Sequence, residues 1–279
     1  MPTEVVRRAA VVGKPVAHSL SPVLHGAAFE ALGLAWEYTR LEASASELPQ
    51  LVAGLDESWV GLSVTMPGKG AALEFATVAT DRARAVGAAN TLVRSDDGWS
   101  ADCTDVEGVA GALRAAGFEN GTTAVILGGG GTARAALAGV AELGVTSATL
   151  VVRDPARAEA AAACAAAVGV KLEIAAWATA DFPALVANSS VLVNTAPPEA
   201  VDPAALGGTS FLLDVIYHPW PTPLATAVAS HGGHVATGLD MLLHQAFGQV
   251  EQFTKKKAPR TAMRDALHAA TGGILPLPL

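Results

Sequence analysis

The sequence has little cysteine, little aromatic character and little positive charge, and each shortage excludes a class of protein. Only Cys103 and Cys164 occur among the 279 residues, far apart and in unlike surroundings, which excludes a disulfide framework and a cysteine metal site. Lys and Arg number 18 against 26 Asp and Glu, so the formal net charge is −8. This balance disfavours a broad nucleic-acid-binding surface.

Long hydrophobic runs are missing as well. The longest stretch of small apolar residues, around 160–170, is shorter than the roughly 18 residues that indicate a membrane span. Residues 1–13 lack the long apolar stretch and cleavage site of a secretory signal. We therefore expect a soluble, cytoplasmic protein that binds neither membranes nor nucleic acids.

Apolar residues are nevertheless plentiful. Hydrophobic residues make up 51% of the chain, although aromatic residues are only 5% and charged residues 16%. Such a chain can bury enough surface to offset the entropy cost of folding. A length of 279 residues favours two domains of ordinary size over one large domain.

Two successive sets of alternating strand and helix patterns predict an α/β fold. The first set contains predicted strands at 8–13, 36–41 and 59–65, then a hairpin of strands at 88–94 and 99–103. Its first helix is predicted to have Ser21 as N-cap and Pro22 at the first position. The second set contains predicted strands at 123–127, 147–152, 172–176, 191–195, 211–217 and 233–237, with helices at 132–143 and 156–168. This alternation implies crossover connections and a parallel sheet.

A glycine-rich turn lies between a predicted strand and a predicted helix of the second set. It consists of Gly128, Gly129, Gly130, Gly131, Thr132 and Ala133, and it matches G-x-G-x-x-A. Small residues at this spacing let the backbone turn tightly, approach a pyrophosphate and direct the amides of a helix N-terminus at the anion. Four glycines could form an ordinary flexible turn, but the strand–turn–helix context favours a dinucleotide-binding site.

The end of the next predicted strand bears on which dinucleotide binds. Arg153 and Arg157 suit the 2′-phosphate of NADP, whereas Asp154 suits the ribose 2′-hydroxyl of NAD. Asp154 also precedes Pro155, so it has an equally good interpretation as a helix N-cap. Together these residues favour NADP (NADPH) and leave NAD as the alternative.

Lys69 and Asp105 are chemically interesting but have ordinary structural interpretations. Lys69 follows a predicted strand, yet Ser63 and Gly70 stand where a P-loop needs Gly and then Ser or Thr. A single lysine is most often a solvated side chain. Asp105 could equally be a favourable charge in the first turn of a helix.

Some of the remaining polar candidates have a simple structural role as an alternative to a functional one, and others do not. Ser19 and Ser21 could be turn and cap residues, but Asn90 lies in an apolar segment, where a buried amide needs hydrogen-bond partners. The histidines are scattered. His231 and His234 share a Gly-Gly turn without an acidic or cysteine complement, so we predict no metal site.

Taken in order, these motifs resemble those of the shikimate dehydrogenase family. The matching segments extend through nearly the whole chain, at 19–22, 64–69, 87–91, 104–105, the glycine turn and 238–242 with Gln245. The resemblance implies an N-terminal α/β substrate domain plus a Rossmann-like dinucleotide-binding domain, separated by an interdomain cleft, and C-terminal helices that return to the first domain. The corresponding boundaries are 1–107, 108–238 and 239–279.

The resemblance also implies roles for individual residues. Lys69 and Asp105 would form the catalytic pair. The implied substrate-binding residues are Ser19, Ser21, Thr65, Asn90, Tyr217 and Gln245. The implied cofactor-binding residues are those of the glycine turn, Arg153, Asp154, Arg157, Gly238 and Met241, the last of which would border the nicotinamide.

The implied reaction is the reversible, NADPH-dependent reduction of 3-dehydroshikimate to shikimate in aromatic amino-acid biosynthesis. Hydride addition to a ketone forms an alkoxide, which needs a proton and a nearby positive charge, and a lysine provides both. The alternatives are an NAD-dependent quinate/shikimate dehydrogenase and a non-catalytic dinucleotide-binding regulator. The expected partner is a small-molecule substrate, bound by a monomer or homodimer.

The sequence departs from the usual pattern of this family at three positions. Ser63 and Cys103 stand where the family commonly has asparagine, and Asp154 stands where threonine is frequent after the arginine. The first two departures bear on hydrogen bonding around the substrate, and the third bears on the preference for NADP.

Overall fold

The computed structural model describes residues 6–279. Residues 1–5, part of the segment interpreted above as lacking a signal peptide, lie outside the described residues. The described chain forms two compact units, the first made of residues up to 104 with 245–277 and 279, the second of 105–244 and 278. The chain therefore leaves the first unit after Thr104 and returns to it after His244.

The first unit is built on a six-stranded mixed sheet in the order β2-β1-β3-β5-β6-β4. β1 is parallel to β2 and β3, whereas β5 is antiparallel to β3 and β6. The strands are β1 (Arg8–Gly13), β2 (Glu37–Glu42), β3 (Trp59–Val64), β4 (Val78–Ala79), β5 (Thr91–Ser95) and β6 (Gly98–Asp102). The helices are α1 (Ser21–Ala31), α2 (Leu48–Ala53), α3 (Lys69–Phe75), α4 (Asp81–Val86) and α12 (Arg260–Ala270), while α11 (Gly238–Thr254) includes residues of both units.

Both faces of this sheet are covered. On one face Val12, Leu62 and Leu92 pack with Leu48 and Val52 of α2. On the other face Ala9 and Val93 pack with Phe29 of α1 and Phe253 of α11. Gly61 of β3 permits this contact, because a Cβ there would lie 2.2 Å from the Phe253 ring. The absence of a side chain at Gly61 thus lets α11 lie directly on the sheet.

The second unit is built on a six-stranded, wholly parallel sheet in the order β12-β11-β10-β7-β8-β9. This is the doubly wound order of dinucleotide-binding folds, which bind ligands where the strand order reverses, here between β7 and β10. The strands are β7 (Thr123–Leu127), β8 (Ser147–Val152), β9 (Lys171–Ala176), β10 (Val191–Asn194), β11 (Phe211–Asp214) and β12 (His234–Thr237). The helices are α5 (Asp105–Ala115), α6 (Gly131–Ala141), α7 (Glu159–Ala167), α8 (Phe182–Ala187), α9 (Pro203–Leu206) and α10 (Pro223–Ser230).

Small residues let the helices of the second unit pack closely. A Cβ on Gly139 of α6 would lie 2.7 Å from Val109 of α5, so the two helices meet at a glycine. Ala161 and Ala165 of α7 are buried, as are Ala133 and Ala136 of α6. The high alanine and glycine content of the chain therefore serves close packing in this unit.

Several sequence predictions are confirmed and others are wrong. The strands predicted at 8–13, 123–127 and 147–152 coincide with β1, β7 and β8. The parallel sheet implied by the strand–helix alternation is found in the second unit. In the first unit, the hairpin predicted at 88–94 and 99–103 is confirmed as β5 and β6, which pair antiparallel across a short turn.

Three local predictions need correction. Ser21 is the first residue of α1 rather than its N-cap, which is Leu20 and makes no side-chain cap. The helix predicted at 156–168 is divided into a 3₁₀ turn at Pro155–Arg157 and α7, because Asp154 caps the tight turn through the amide of Ala156. The strand predicted at 211–217 ends at Asp214, whose carboxylate accepts from the amide of Ile216 (3.3 Å) and turns the chain out of the sheet.

Candidate active site

At the start of α1 the first unit presents two serines. The Ser19 hydroxyl oxygen accepts from the backbone amide of Ser21 (3.3 Å), and Ser21 is buried. The Ser19 carbonyl accepts from the Arg40 guanidinium (2.7 Å to Nη2). This brings two hydroxyls and one cation to the same end of the helix, a combination that suits a carboxylate.

Asn90 is buried, and its amide hydrogen-bonds to neighbouring groups of the first unit, as a buried amide requires. Its Nδ2 donates to Thr104 Oγ1 (3.0 Å) and to Gln245 Oε1 (3.2 Å). Its Oδ1 accepts from the Thr104 amide (2.8 Å) and from the Thr91 hydroxyl (2.8 Å). The structure therefore brings Asn90 and Gln245, two predicted site residues, into direct contact.

Thr65 and Lys69 lie on either side of the turn between β3 and α3. Gly13 of β1 contacts this turn so closely that a Cβ there would lie 2.3 Å from the Thr65 methyl. Lys69 is the first residue of α3, and its carbonyl accepts from the Ala89 amide (2.9 Å), the residue before Asn90. Thr65, Lys69 and Asn90 are thus held on neighbouring backbone segments of the first unit.

Asp105 comes directly after Thr104 in the chain and is the first residue of α5. Its side chain is buried. The structural interpretation of Asp105 as a charge in the first turn of a helix therefore describes its position correctly, since carboxylates are favoured there.

In the second unit the glycine turn connects β7 to α6. Gly128 has φ +99° and a Cβ there would lie 2.5 Å from Thr195 Oγ1, so both conformation and space demand glycine. Gly130 is the N-cap of α6, and no atom lies within 4 Å of the position that a Cβ would take. Gly129 and Gly130 are exposed, whereas Ala133 is buried. The exposed backbone at a helix N-terminus fits a pyrophosphate.

The residues after β8 are exposed. Arg153 and Arg157 lie on the surface of the second unit. Asp154 is the N-cap of the 3₁₀ turn, with Oδ1 accepting from the Ala156 amide (3.1 Å). One oxygen of the only carboxylate in this segment is therefore used by the backbone, which leaves two cations facing solvent.

Tyr217 and Gly238 meet at the other side of the second sheet. A Cβ on Gly238 would lie 2.1 Å from the Val215 carbonyl oxygen and 2.9 Å from the Tyr217 ring, so this glycine packs directly on the segment after β11. Tyr217 is 36% exposed, and partial burial raises the pKa of its hydroxyl. Met241, one turn into α11, is buried.

Two buried aspartates shape these segments. Asp214 accepts from Asn194 Nδ2 (3.0 Å) and from the Thr222 hydroxyl (2.6 Å), and burial raises the pKa of its carboxyl. Asp240 accepts from the amide (2.8 Å) and hydroxyl (2.7 Å) of Thr237 at the start of α11, and burial raises its pKa too. Both carboxyls fix backbone next to predicted site residues.

Sequence reasoning missed Gln249, which is buried on α11 one turn after Gln245. Its amide contacts Asn90, Thr91 and Ser63. The missed signal was the spacing of the two glutamines, which places them on one face of a helix. Tyr38 was missed too; its hydroxyl donates to Ser63 (2.6 Å).

Two kinds of feature are absent from the described part of the chain. Residues 6–279 contain no group of three or more His, Cys, Asp or Glu side chains placed to hold a metal ion. Within the same residues, no helix is both long and apolar enough to span a membrane.

Two segments of the chain match models of known protein families. Residues 11–92 match the model of the shikimate dehydrogenase substrate-binding domain. Residues 238–268 match the shikimate 5′-dehydrogenase C-terminal domain. The two matches include Lys69, Asn90 and Gln245.

Individual proteins resemble the chain over almost its whole length. A shikimate dehydrogenase (NADP(+)) from Methylobacterium radiotolerans is 40% identical, with 95% of this chain and 98% of that protein covered. The crystal structure of shikimate dehydrogenase from Mycobacterium tuberculosis superposes with a TM-score of 0.90 at 52% identity, covering 94% of this chain and 99% of that one. The shikimate 5-dehydrogenase of Thermus thermophilus, in complex with NADP(H) and shikimate, gives a TM-score of 0.79 at 27% identity, with 95% and 100% covered.

Proposed function

The chain belongs to the shikimate dehydrogenase family, and we propose that it catalyses the reversible reduction of 3-dehydroshikimate to shikimate with NADPH, a step of aromatic amino-acid biosynthesis. The observation that carries the proposal is the 40% identity, over 95% of this chain, to a relative named for this activity with NADP. The buried polar cluster around Asn90 supports it, because a ring acid with several hydroxyls needs such donors and acceptors.

The first unit supplies the substrate-binding side chains. Ser19 and Ser21 bind the carboxylate through their hydroxyls at the start of α1. Thr65, Asn90 and Gln245 contact the ring hydroxyls, as does Tyr217 from the second unit. Amides and hydroxyls are suited to this task because each can both donate and accept.

Lys69 and Asp105 perform the acid–base chemistry. When bound, NADPH supplies a hydride to the carbonyl carbon of the substrate. The Lys69 ammonium donates the proton that the carbonyl oxygen takes up and stabilises the negative charge that develops there. Asp105 accepts a hydrogen bond from the substrate hydroxyl. In the reverse direction neutral Lys69 accepts the same proton.

The residues of the second unit fit NADP. The turn from Gly128 to Ala133 can admit a pyrophosphate because Gly129 and Gly130 are exposed and no atom lies within 4 Å of the position of a Cβ on Gly130. Arg153 and Arg157 bind the 2′-phosphate, and Gly238 and Met241 border the nicotinamide. With one oxygen capping the turn, Asp154 acts as a structural residue, which favours NADP over NAD.

A direct assay tests this proposal. The purified protein is expected to oxidise NADPH in the presence of 3-dehydroshikimate, and to reduce NADP in the presence of shikimate. Stronger NAD-dependent oxidation of quinate would instead establish the quinate dehydrogenase. Binding of NADPH without turnover of either ring acid would favour the non-catalytic regulator.

Two further features inferred from the sequence remain proposals. We place the enzyme in the cytoplasm, where cell fractionation should find the activity. We also propose a monomer or a homodimer. Light scattering coupled to size-exclusion chromatography distinguishes these from each other and from larger assemblies.

A further inference from the structure

Gln249 of α11 uses every hydrogen-bonding position of its side-chain amide within the first unit. Its Nε2 donates to the Asn90 carbonyl (3.0 Å) and to Thr91 Oγ1 (3.1 Å). Its Oε1 accepts from the Ser63 hydroxyl (2.7 Å) and lies 3.2 Å from His25 Nε2. A side-chain amide has two N–H donors and one oxygen that accepts two hydrogen bonds, so no donor or acceptor position of Gln249 remains unpaired. The residue is 1% exposed.

The Asn90 carbonyl determines which way this amide points, because it can only accept and therefore faces Gln249 Nε2. Because Gln249 Oε1 can only accept, the His25 ring must carry its proton on Nε2. The ring is wholly buried and stacks on Tyr38, with centroids 4.1 Å apart and planes 8° from parallel. A flipped Gln249 amide would place its oxygen against the Asn90 carbonyl oxygen, and neither atom can donate. One orientation is therefore strongly preferred.

The same contacts extend to α1, the helix whose first residue is Ser21. The Tyr38 hydroxyl donates to Ser63 Oγ (2.6 Å), which in turn donates to Gln249. His25, which contacts both Gln249 and the Tyr38 ring, lies on α1 one turn after Ser21. Gln249 is thus connected through His25 to the helix that carries Ser21.

These contacts link two residues that the proposed function assigns to the substrate. Ser21 is assigned to the carboxylate and Asn90 to a ring hydroxyl. Gln249 reaches Asn90 through its carbonyl and through Thr91, whose hydroxyl donates to Asn90 Oδ1 (2.8 Å). A displacement of the Gln249 amide would therefore change the positions of both groups that hold the ring acid.

We propose that Gln249 is a positioning residue for the substrate, which fixes the distance and orientation between Ser21 and Asn90 through its contacts with His25 of α1, with Ser63 and with Thr91. The inference rests on the proposed function, because those two residues are assigned to the substrate there. Gln249 need not touch the substrate to act in this way. Small displacements of substrate-binding groups are costly in enzymes, since productive geometry tolerates little error.

The test compares the same substitution at two glutamines of α11. Gln249→Met keeps the length of the side chain and removes its hydrogen bonds. We expect it to raise the KM for shikimate about tenfold and to leave the KM for NADP unchanged. The matched control is Gln252→Met, which removes a hydrogen bond to Asp102 (2.6 Å) and should leave both constants at their wild-type values.

A purely structural role of Gln249 makes a different prediction. Partial unfolding lowers the active fraction and hence kcat, but it does not change the KM for one ligand alone. An unchanged shikimate KM in folded Gln249→Met would overturn the proposal, as would an equal rise for both ligands. Shikimate binding to the cofactor-free protein, measured by calorimetry, should weaken by the same factor.

A second variant keeps the proposal testable if Gln249→Met does not fold. Ser63→Ala removes only the hydroxyl between Tyr38 and Gln249, and it should raise the KM for shikimate roughly threefold or more without changing that for NADP. A wild-type shikimate KM in Ser63→Ala would contradict the proposal. If the wild-type protein itself turned over no shikimate, the proposed function would fail, which is a separate result.

Discussion

In the first unit, the residues proposed to bind the substrate hold one another through buried side chains, whereas in the second unit those proposed to bind the cofactor are mainly glycines and exposed arginines. Asn90 and Gln245 are buried and bonded to each other (3.2 Å). Gly130, Arg153 and Arg157 are exposed. The first unit therefore offers its ligand mainly buried side-chain groups, whereas the second offers exposed backbone amides and arginines.

The difference reflects the two ligands. A ring acid is recognised by which hydroxyl stands where, and only fixed donors and acceptors can distinguish such arrangements. A pyrophosphate is recognised by charge and by close backbone approach, which glycine and a helix N-terminus provide without side chains. We expect substitutions in the first unit to affect turnover and substrate, and those in the second to affect the cofactor.

Replacing Lys69 should give the largest effect. Lys69→Ala is expected to lower kcat about 10²–10⁴-fold, because a positioned acid–base group contributes that much. Shikimate binding, measured by calorimetry, should be largely retained, and so should the KM for NADP. Lys171→Ala, at an exposed lysine of β9, is the control and should leave turnover unchanged. Near-wild-type turnover in Lys69→Ala would remove Lys69 from the mechanism.

Replacing Arg153 should separate the two cofactors. Arg153→Ala is expected to raise the KM for NADP about 10- to 100-fold, the cost of losing a charge-assisted hydrogen bond to phosphate. The KM values for NAD and for shikimate should not change. Arg114→Ala, at an exposed arginine of α5, serves as the comparison. If the KM values for NADP and NAD rose equally, Arg153 would not be the residue that binds the 2′-phosphate.

The buried His25 should make the first unit sensitive to acid. Burial lowers its pKa to about 3, although the hydrogen bond to Gln249 opposes the shift. The unfolded chain, with a histidine pKa of about 6.5, therefore binds more protons between these two values. The free energy of unfolding should fall as the pH drops below 6.5, by about 2 kcal/mol at pH 5 for this residue.

Denaturant titrations of His25→Phe at pH 7.5 and pH 5 measure that contribution. The loss of unfolding free energy between the two pH values should be about 2 kcal/mol smaller than in the wild type. His268→Phe, which replaces an exposed histidine of α12, should leave the wild-type difference in place. Identical pH dependence in the two variants would contradict the assignment to His25.

Replacing Gly130 should give the smallest of these effects and the cleanest test of backbone recognition. A Cβ on Gly130 meets no atom of the protein within 4 Å, so Gly130→Ala should not change stability. It should raise the KM for NADP about tenfold, because the methyl group occupies the space a phosphate would approach. Gly208→Ala, at an exposed glycine that is equally free of neighbours, is the control. An unchanged KM for NADP would mean that the pyrophosphate does not approach Gly130.

The second unit was more predictable from sequence than the first. Its strands are short apolar runs between turns, and its glycine turn has a local conformational cause, the φ of +99° at Gly128. The first unit contains a mixed sheet, in which the hairpin was predictable but the antiparallel pairing of β3 with β5 was not. It also contains short elements such as β4, which are too short to show a periodic pattern. Local signals predict local structure, so the regular unit was the easier one.

The sequence by itself determined the α/β class, the position of the glycine turn and the family to which the chain is similar, because each depends on residue types at short, constant spacing. Only the tertiary structure decided that Gln249 contacts His25, 224 residues away, and Asn90, 159 residues away. Those contacts depend on how α11 lies across β3 and β5, which in turn requires Gly61 beneath the Phe253 ring. The sequence shows that a buried amide needs hydrogen-bond partners, but only the packing decides which residues these partners are.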